Sequence, residues 1–286
     1  MAAVVFGREE NFVNNSHGRK LGAPGARPKR RIILSIGLAA LLALVVAAIA
    51  AAEKPTVVQV GNLKLTFNGG VKPKALSKTK MEPITLTVSG KIETVDGKHP
   101  SALKEVIVDT DKNGSIDVRG APTCTAGKLE AQTTANAEKA CRSAIVGLGT
   151  TNIEVEFPEQ APIPIKSKLI AFNGGLKGGV TTLYIHAFLT SPVTAAVVTT
   201  VKISKEHKGR YGTRSIASVP KIAGGSGSVT AFSLTFSKKL FTYKGKKHGY
   251  LLAKCDDGSF VAQAEAVFTN GEKLGGKIVR ACTPKG

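Results

Sequence analysis

Two hydrophobic patterns divide the chain. Residues 32–52 form an apolar run interrupted only by Ser35 and Gly37, whereas the sequence from residue 53 onward alternates in short bursts. Val57-Val-Gln-Val60, Leu63-Lys-Leu-Thr-Phe67, Ile84-Thr-Leu-Thr-Val88, Val106-Ile-Val108 and Ile153-Glu-Val-Glu-Phe157 have the period of half-buried strands. Residues 182–188, 197–203, 230–236, 250–254, 260–268 and 277–281 continue the series, rich in Thr and Val and punctuated by Gly, Asn and Pro. The pattern predicts an all-β, sandwich-like fold. Helix is expected only near 126–142, where Lys128-Leu-Glu-Ala-Gln132 and Ala135-Asn-Ala-Glu-Lys-Ala-Cys-Arg142 are good helix formers.

The apolar run is of a different kind. At about 1.5 Å per residue it would make a helix of roughly 30 Å, the thickness of a bilayer core. Arg27-Pro-Lys-Arg-Arg31 precedes it, and Ala48-Ile-Ala50 and Ala50-Ala-Ala52 offer small-x-small cleavage sites. This order predicts a basic cytoplasmic leader (1–31), a signal-peptide core or single transmembrane helix (32–52), and an exported portion (53–286). The run is long enough either to be removed or to stay as an anchor. In both cases residues 53–286 work outside the cytoplasm, secreted or at the cell surface.

Charge narrows the partners. Of 40 Lys and Arg, seven precede residue 53, as do two of the 20 acidic residues; the exported portion therefore carries a net charge of +15. Only five of its cations are Arg. Lys is a hydrated point charge, whereas planar bidentate recognition of phosphate or guanine favours Arg. Diffuse attraction to anionic envelope polymers fits better than specific nucleic-acid readout. The chain has no Trp and four Tyr, few platforms for stacking sugars or bases.

Cys124, Cys141, Cys255 and Cys282 all follow the apolar run. An even number in an oxidising compartment implies two disulfides with three connectivities, of which the sequence-local pairing is expected. No C-x-x-C occurs, and His99, His186, His207 and His248 do not flank the cysteines at zinc-ligand spacing. Runs 250–254, 260–268 and 277–281, joined by Asp256-Asp-Gly258 and Thr269-Asn-Gly271, read as a meander. A flat meander would hold Cys255 and Cys282 roughly 10 Å apart, too far for a bridge, which requires about 7 Å or less between Cα atoms. A bridge there requires the last strand to leave the meander or the sheet to fold over. Phe67-Asn-Gly-Gly70 recurs as Phe172-Asn-Gly-Gly175, with the Pro-rich stretch 157–164 between, so a boundary between duplicated subdomains near residue 161 is one reading.

With Ala121-Pro-Thr-Cys124, Phe157-Pro-Glu-Gln160, Phe172-Asn-Gly-Gly175, Ile222-Ala-Gly-Gly225 and the terminal cysteine pair, the chain resembles an uncharacterised family of exported actinobacterial proteins with four cysteines. The resemblance implies export but supplies no activity and no site residues.

Two motifs invite chemistry. Asp109-Thr-Asp-Lys-Asn-Gly-Ser-Ile-Asp117 matches the first nine positions of an EF-hand loop, with Asp109, Asp111, Asn113 and Asp117 as oxygen donors for calcium. The twelfth position, however, is Gly120 rather than Glu, and the flanks look like strands. Asn113-Gly114 between apolar runs instead predicts a type I′ hairpin turn. The second motif gathers Lys238, Lys239, Lys244, Lys246, Lys247 and His248 around Phe241, Tyr243 and Tyr250. It reads as a solvated hairpin with charged edges, or as an anion-binding patch. G-x-S-x-G, H-E-x-x-H, P-loop and dinucleotide fingerprints are absent. The expectation is a structural or binding protein of the cell surface rather than an enzyme, without a cofactor. A hydrolase with its site spread across strands, or a calcium-stabilised module, is the alternative.

Overall fold

A computed structural model describes residues 53–286. The leader and the apolar segment 32–52, with its expected membrane helix, lie outside the described residues; among those described, no helix is long and apolar enough to cross a membrane.

The chain opens with β1 (Thr56–Val60), β2 (Leu63–Lys72), β3 (Ala75–Ser77), β4 (Glu82–Pro83) and β5 (Thr85–Thr94). Then come β6 (Leu103–Asp111), β7 (Gly114–Ile116) and one α-helix, α1 (Thr134–Cys141). A run of long strands follows: β8 (Ile145–Val155), β9 (Ile163–Lys177), β10 (Val180–Leu189), β11 (Ala195–Lys208) and β12 (Tyr211–Ser218). The last strands are β13 (Gly227–Phe236), β14 (Leu240–Tyr243), β15 (Lys246–Gly249), β16 (Leu251–Ala253), β17 (Ser259–Phe268), β18 (Lys273–Ala281) and β19 (Thr283–Lys285).

Twelve of these strands form one antiparallel sheet in the order β1-β2-β5-β13-β8-β9-β10-β11-β12-β6-β17-β18. The sheet curls until its edges meet. Thr56 Oγ1 on β1 donates to Lys277 O on β18 at 3.3 Å, and Gly276 on β18 lies under Val58 and the ring of Phe67. Side chains, not a backbone ladder, close this seam. Curling the sheet onto itself buries one face of every strand, which the period-two apolar rows require. Residue 161 falls in the loop between β8 and β9, while β13 from beyond it pairs with β5 from before it.

The two ends of this closed sheet differ. At one end the connections are plain loops: 61–62, 95–102, 156–162, 190–194, 219–226 and 269–272. At the other, three connections swell into caps. β3 and β4 sit between β2 and β5; β7, α1 and short 3-10 turns sit between β6 and β8; β14, β15 and β16 sit between β13 and β17. β4, β16 and β7 pair into a small sheet of their own, and β19 pairs in parallel with β3.

Both expected disulfides are formed, and both belong to the caps. Cys124–Cys141, with Cα atoms 5.7 Å apart, pins α1 to the outer face of β9 and β10 over Ile170 and Phe172. Thr133 starts the helix, its hydroxyl accepting from Asn136 N at 3.3 Å. The extra cover explains why Leu169-Ile-Ala-Phe172 reads as a continuous rather than alternating apolar run: β9 is buried there on both faces. His186, also under this cap, bonds through Nε2 to Gln132 O at 3.0 Å, and burial lowers its pKa. Cys255–Cys282 (Cα–Cα 6.1 Å) ties the loop after β16 to the end of β18 within a cluster containing Leu76, Ile84 and Ala253.

Two local expectations are corrected. Residues 250–254 do not begin a meander: β17 and β18 form a hairpin in the main sheet, while β16 belongs to the cap. The first strand, not the last, is the one that leaves, and its departure lets the cysteines meet. Nor is Asn113-Gly114 a hairpin turn. β6 pairs with β12 and β17, β7 pairs with β16, and Gly114 does not adopt a positive φ. The chain crosses there from the main sheet into the cap.

Candidate functional site

The inward residues follow from strand alternation. Val106, Val108 and Thr110 point inward from β6, Leu183, Ile185 and Ala187 from β10, and Val197, Thr199, Val201 and Ile203 from β11. On β13, a bulge near Val229 and Ala231 shifts the phase, so that Phe232, Leu234 and Phe236 share the interior with Val229. Together these rows line a cavity of about 460 Å³. Every strand of the sheet from β2 to β18 contributes, and the cap strands β7 and β16 roof one end with Ile116, Leu251 and Ala253.

The cavity exists because side chains of unequal size line it. β12, β6 and β17, three neighbours in the sheet, present Thr213, Ser215, Ala217, Val108, Ala262, Ala264 and Ala266. β2, β5 and β13, another set of neighbours, present Leu65, Phe67, Leu86, Ile92, Phe232 and Phe236. The latter set fills more of its share of the interior; the Phe232 ring lies over Gly90, where an added Cβ would come within 2.5 Å of it. Small inward residues on the first set leave the space unfilled. Protein interiors are otherwise packed like organic crystals.

Several of the polar groups in the lining are already partnered. Asp111, 4 % exposed, is the lining's one carboxylate. It accepts from Arg210 Nε at 2.7 Å, from Asn113 N at 2.9 Å and from Val261 N at 2.9 Å. Arg210 continues to Asp257 and to Ser259 O, and those bonds raise the guanidinium further while holding Asp257 at about 2. Thr110 and Thr213 share a hydroxyl hydrogen bond, and Thr151 Oγ1 donates to Ala231 O at 2.9 Å. No His lines the cavity.

The four residues of the calcium-loop motif are not brought together. Asp109 lies on the outer face of β6, gripped by Arg214 through Nε at 2.7 Å and Nη2 at 2.8 Å, and this hydrogen bonding lowers its pKa. Asp111 serves Arg210, and Asn113 Nδ2 donates to Asp256 at 2.6 Å. Asp117 is held at about 2, chiefly by hydrogen bonds from Arg119, and also meets His248 Nδ1 at 3.1 Å. Gly120, where a calcium loop would have Glu, has φ +74°, and a Cβ there would fall 2.4 Å from Thr242 O. Its smallness lets the loop pass against β14. Among the described residues, no group of three or more His, Cys, Asp or Glu is arranged to hold a metal ion.

The lysine motif does form a hairpin, β14–β15, but not one continuous patch. Lys239 turns inward to donate to Ile145 O, and its burial lowers its pKa. His248 is drawn to Asp117, and Lys244 lies over the Tyr243 ring at 5.6 Å from its centroid. Lys238, Lys244, Lys246 and Lys247 remain exposed.

One residue escaped the motif reading. On β18, Leu274, Gly276, Ile278 and Arg280 share one face, so Arg280 ends an apolar inward row and is only 8 % exposed. A lone Arg in phase with buried aliphatics was the available signal. Comparisons with protein-family models, curated proteins and solved structures find no match to this chain.

Proposed function

We propose that residues 53–286 form an exported binding protein that holds a small apolar molecule inside its closed sheet. The single observation that carries this reading is the 460 Å³ interior lined almost wholly by aliphatic and aromatic side chains. Its size is that of a small-molecule site, typically about 300–1,000 Å³. Leaving such a space unfilled is costly: at about 24 cal/mol per Å³ the penalty is on the order of 10 kcal/mol, comparable with the whole stability of a domain. A guest molecule offsets that penalty. The disulfides suit an oxidising, extracytoplasmic compartment. The apolar segment 32–52 would deliver the domain there, cleaved or as an anchor, and the exposed lysines would favour contact with anionic envelope polymers.

Catalysis is not part of this reading. The cavity's one carboxylate is committed to Arg210, and a lining dominated by aliphatic and aromatic side chains favours binding. Titration with the neutral fluorophore N-phenyl-1-naphthylamine tests the proposal. Saturable binding of one probe per chain, with a melting temperature that rises with probe concentration, is expected. Absence of saturable binding would overturn it.

A further inference from the structure

Beside the main cavity, at the capped end, lies a chamber of about 280 Å³ between the ends of β2, β5, β17 and β18. Its character is the reverse of the interior's. Lys72, Lys74 and Arg280 line it, with Glu53 as the one carboxylate. Asn68, Gly69, Phe260 and Arg280 are among the residues that line both spaces, so the cationic chamber and the apolar cavity are adjacent there.

Arg280 is built into this junction. Its Nε donates to Gly69 O at 2.7 Å, Nη1 to Val279 O at 2.8 Å, and Nη2 to Asn68 Oδ1 and to Lys54 O. All four acceptors are neutral. They fix the fork in place without cancelling its charge, which an Arg side chain does not lose. The nearest negative charge is Glu53, with Oε2 3.5 Å from Arg280 Nε, and Lys74 shares that carboxylate through Oε1 at 3.3 Å. Two cations thus share one anion, and Lys72 lines the same chamber. Ala281 N also donates to Glu53 Oε1 at 2.9 Å. A carboxylate carried by the chain therefore already sits in the chamber beside the apolar cavity, held by two cations and a backbone N–H.

Building on the cavity reading, we propose that the ligand is a single-chain anionic amphiphile. Its tail fills the interior, and its headgroup enters the chamber against Arg280, Lys72 and Lys74. The Glu53 carboxylate is the occupant that the headgroup displaces. Four of the five Arg280 N–H donors are already bonded to neutral acceptors, so Arg280 offers a headgroup its charge and one remaining Nη1–H, with the ammonium groups of Lys72 and Lys74 lining the same chamber. A neutral alcohol of the same length would gain the tail contacts and nothing in the chamber.

The test is competition on the full-length protein loaded with N-phenyl-1-naphthylamine, using dodecanoate, dodecanol and 1-lauroyl-lysophosphatidate below their micellar concentrations. At least one of the two anions should displace the probe ten times more tightly than dodecanol, and which one does so separates a fatty carboxylate from a lipid phosphate. Glu53→Gln should tighten that anion severalfold while leaving dodecanol unchanged. Because Arg280 also tethers β2 to β18, the Lys72→Gln/Lys74→Gln pair carries the charge test, and it should shrink the preference for the anion at least threefold. Equal displacement by dodecanol and both anions, with the probe still bound, would overturn the headgroup assignment and leave the cavity reading standing. Failure of the probe itself to bind would overturn both.

Discussion

The strands β2, β5 and β13 and the strands β12, β6 and β17 line the same interior with the same alternation, yet they do different work. The first set meets the interior mainly with Leu, Ile and Phe, the second mainly with Ala, Ser, Thr and Val, and both border the 460 Å³ space. Propensity does not separate them, since both sets form long, regular strands. Volume does. A sheet can be held together by one part of its inner surface while another part is kept small, and the stability of the fold and the capacity for a guest then rest on different residues.

Four variants probe that division. Phe236→Ala removes a large, 8 % exposed ring from the filled set and should cost about 3–5 kcal/mol by denaturant unfolding. A cost below about 1 kcal/mol would mean that this set is not packed as described. Replacing Cys255 and Cys282 together by Ser should cost about 3.5 kcal/mol, the loop-closure value for a separation of 27 residues. Ile84 and Ala253, which roof the cavity, sit in the same cluster as this bridge, so probe release should also become faster.

Asp117→Asn acts on the cap through charge. Its carboxyl titrates at about 2 when folded, against an ordinary 3.8, so its contribution is present above pH 4 and is lost as pH falls through 2. The exposure of Arg119 screens the pair, and the variant should lose about 1–2 kcal/mol at neutral pH with a shallower acid transition. An acid transition identical to that of the parent would remove this carboxylate from the account. The smallest change in stability, within about 1 kcal/mol and of stabilising sign, is expected for Ala262→Leu/Ala264→Leu, which fills space instead of removing contacts. The same pair should abolish probe binding.

Much of this architecture was legible in the sequence. Alternation located the main strands, four cysteines after an apolar run gave the two sequence-local bridges, and Ala135 to Arg142 marked the helix. What escaped is what depends on contacts distant in sequence. Asn113-Gly114 has the chemistry of a hairpin turn, but β6 finds its partners far along the chain in β12 and β17 (Thr110 opposite Thr213 and Ala262), and the turn becomes a crossing into the cap. Residues 250–254 have the period of a strand, which says nothing of which sheet they join. The aspartates of the calcium-like loop match a spacing, yet each is claimed by a cation remote in sequence or by a short-range Arg. The cavity itself was written as Ala262-x-Ala-x-Ala266 and Thr213-x-Ser-x-Ala217, inward rows too small to fill a core. Alternation identifies a face; only closure of the sheet shows that those small faces border one space.

The most direct test of that claim is calorimetric titration of N-phenyl-1-naphthylamine into the parent protein and into Ala262→Leu/Ala264→Leu side by side. The account predicts one site per chain with a negative heat-capacity change in the parent, and no measurable binding in a variant that melts no lower. Equal binding to both proteins would place the probe outside the closed sheet and contradict the account.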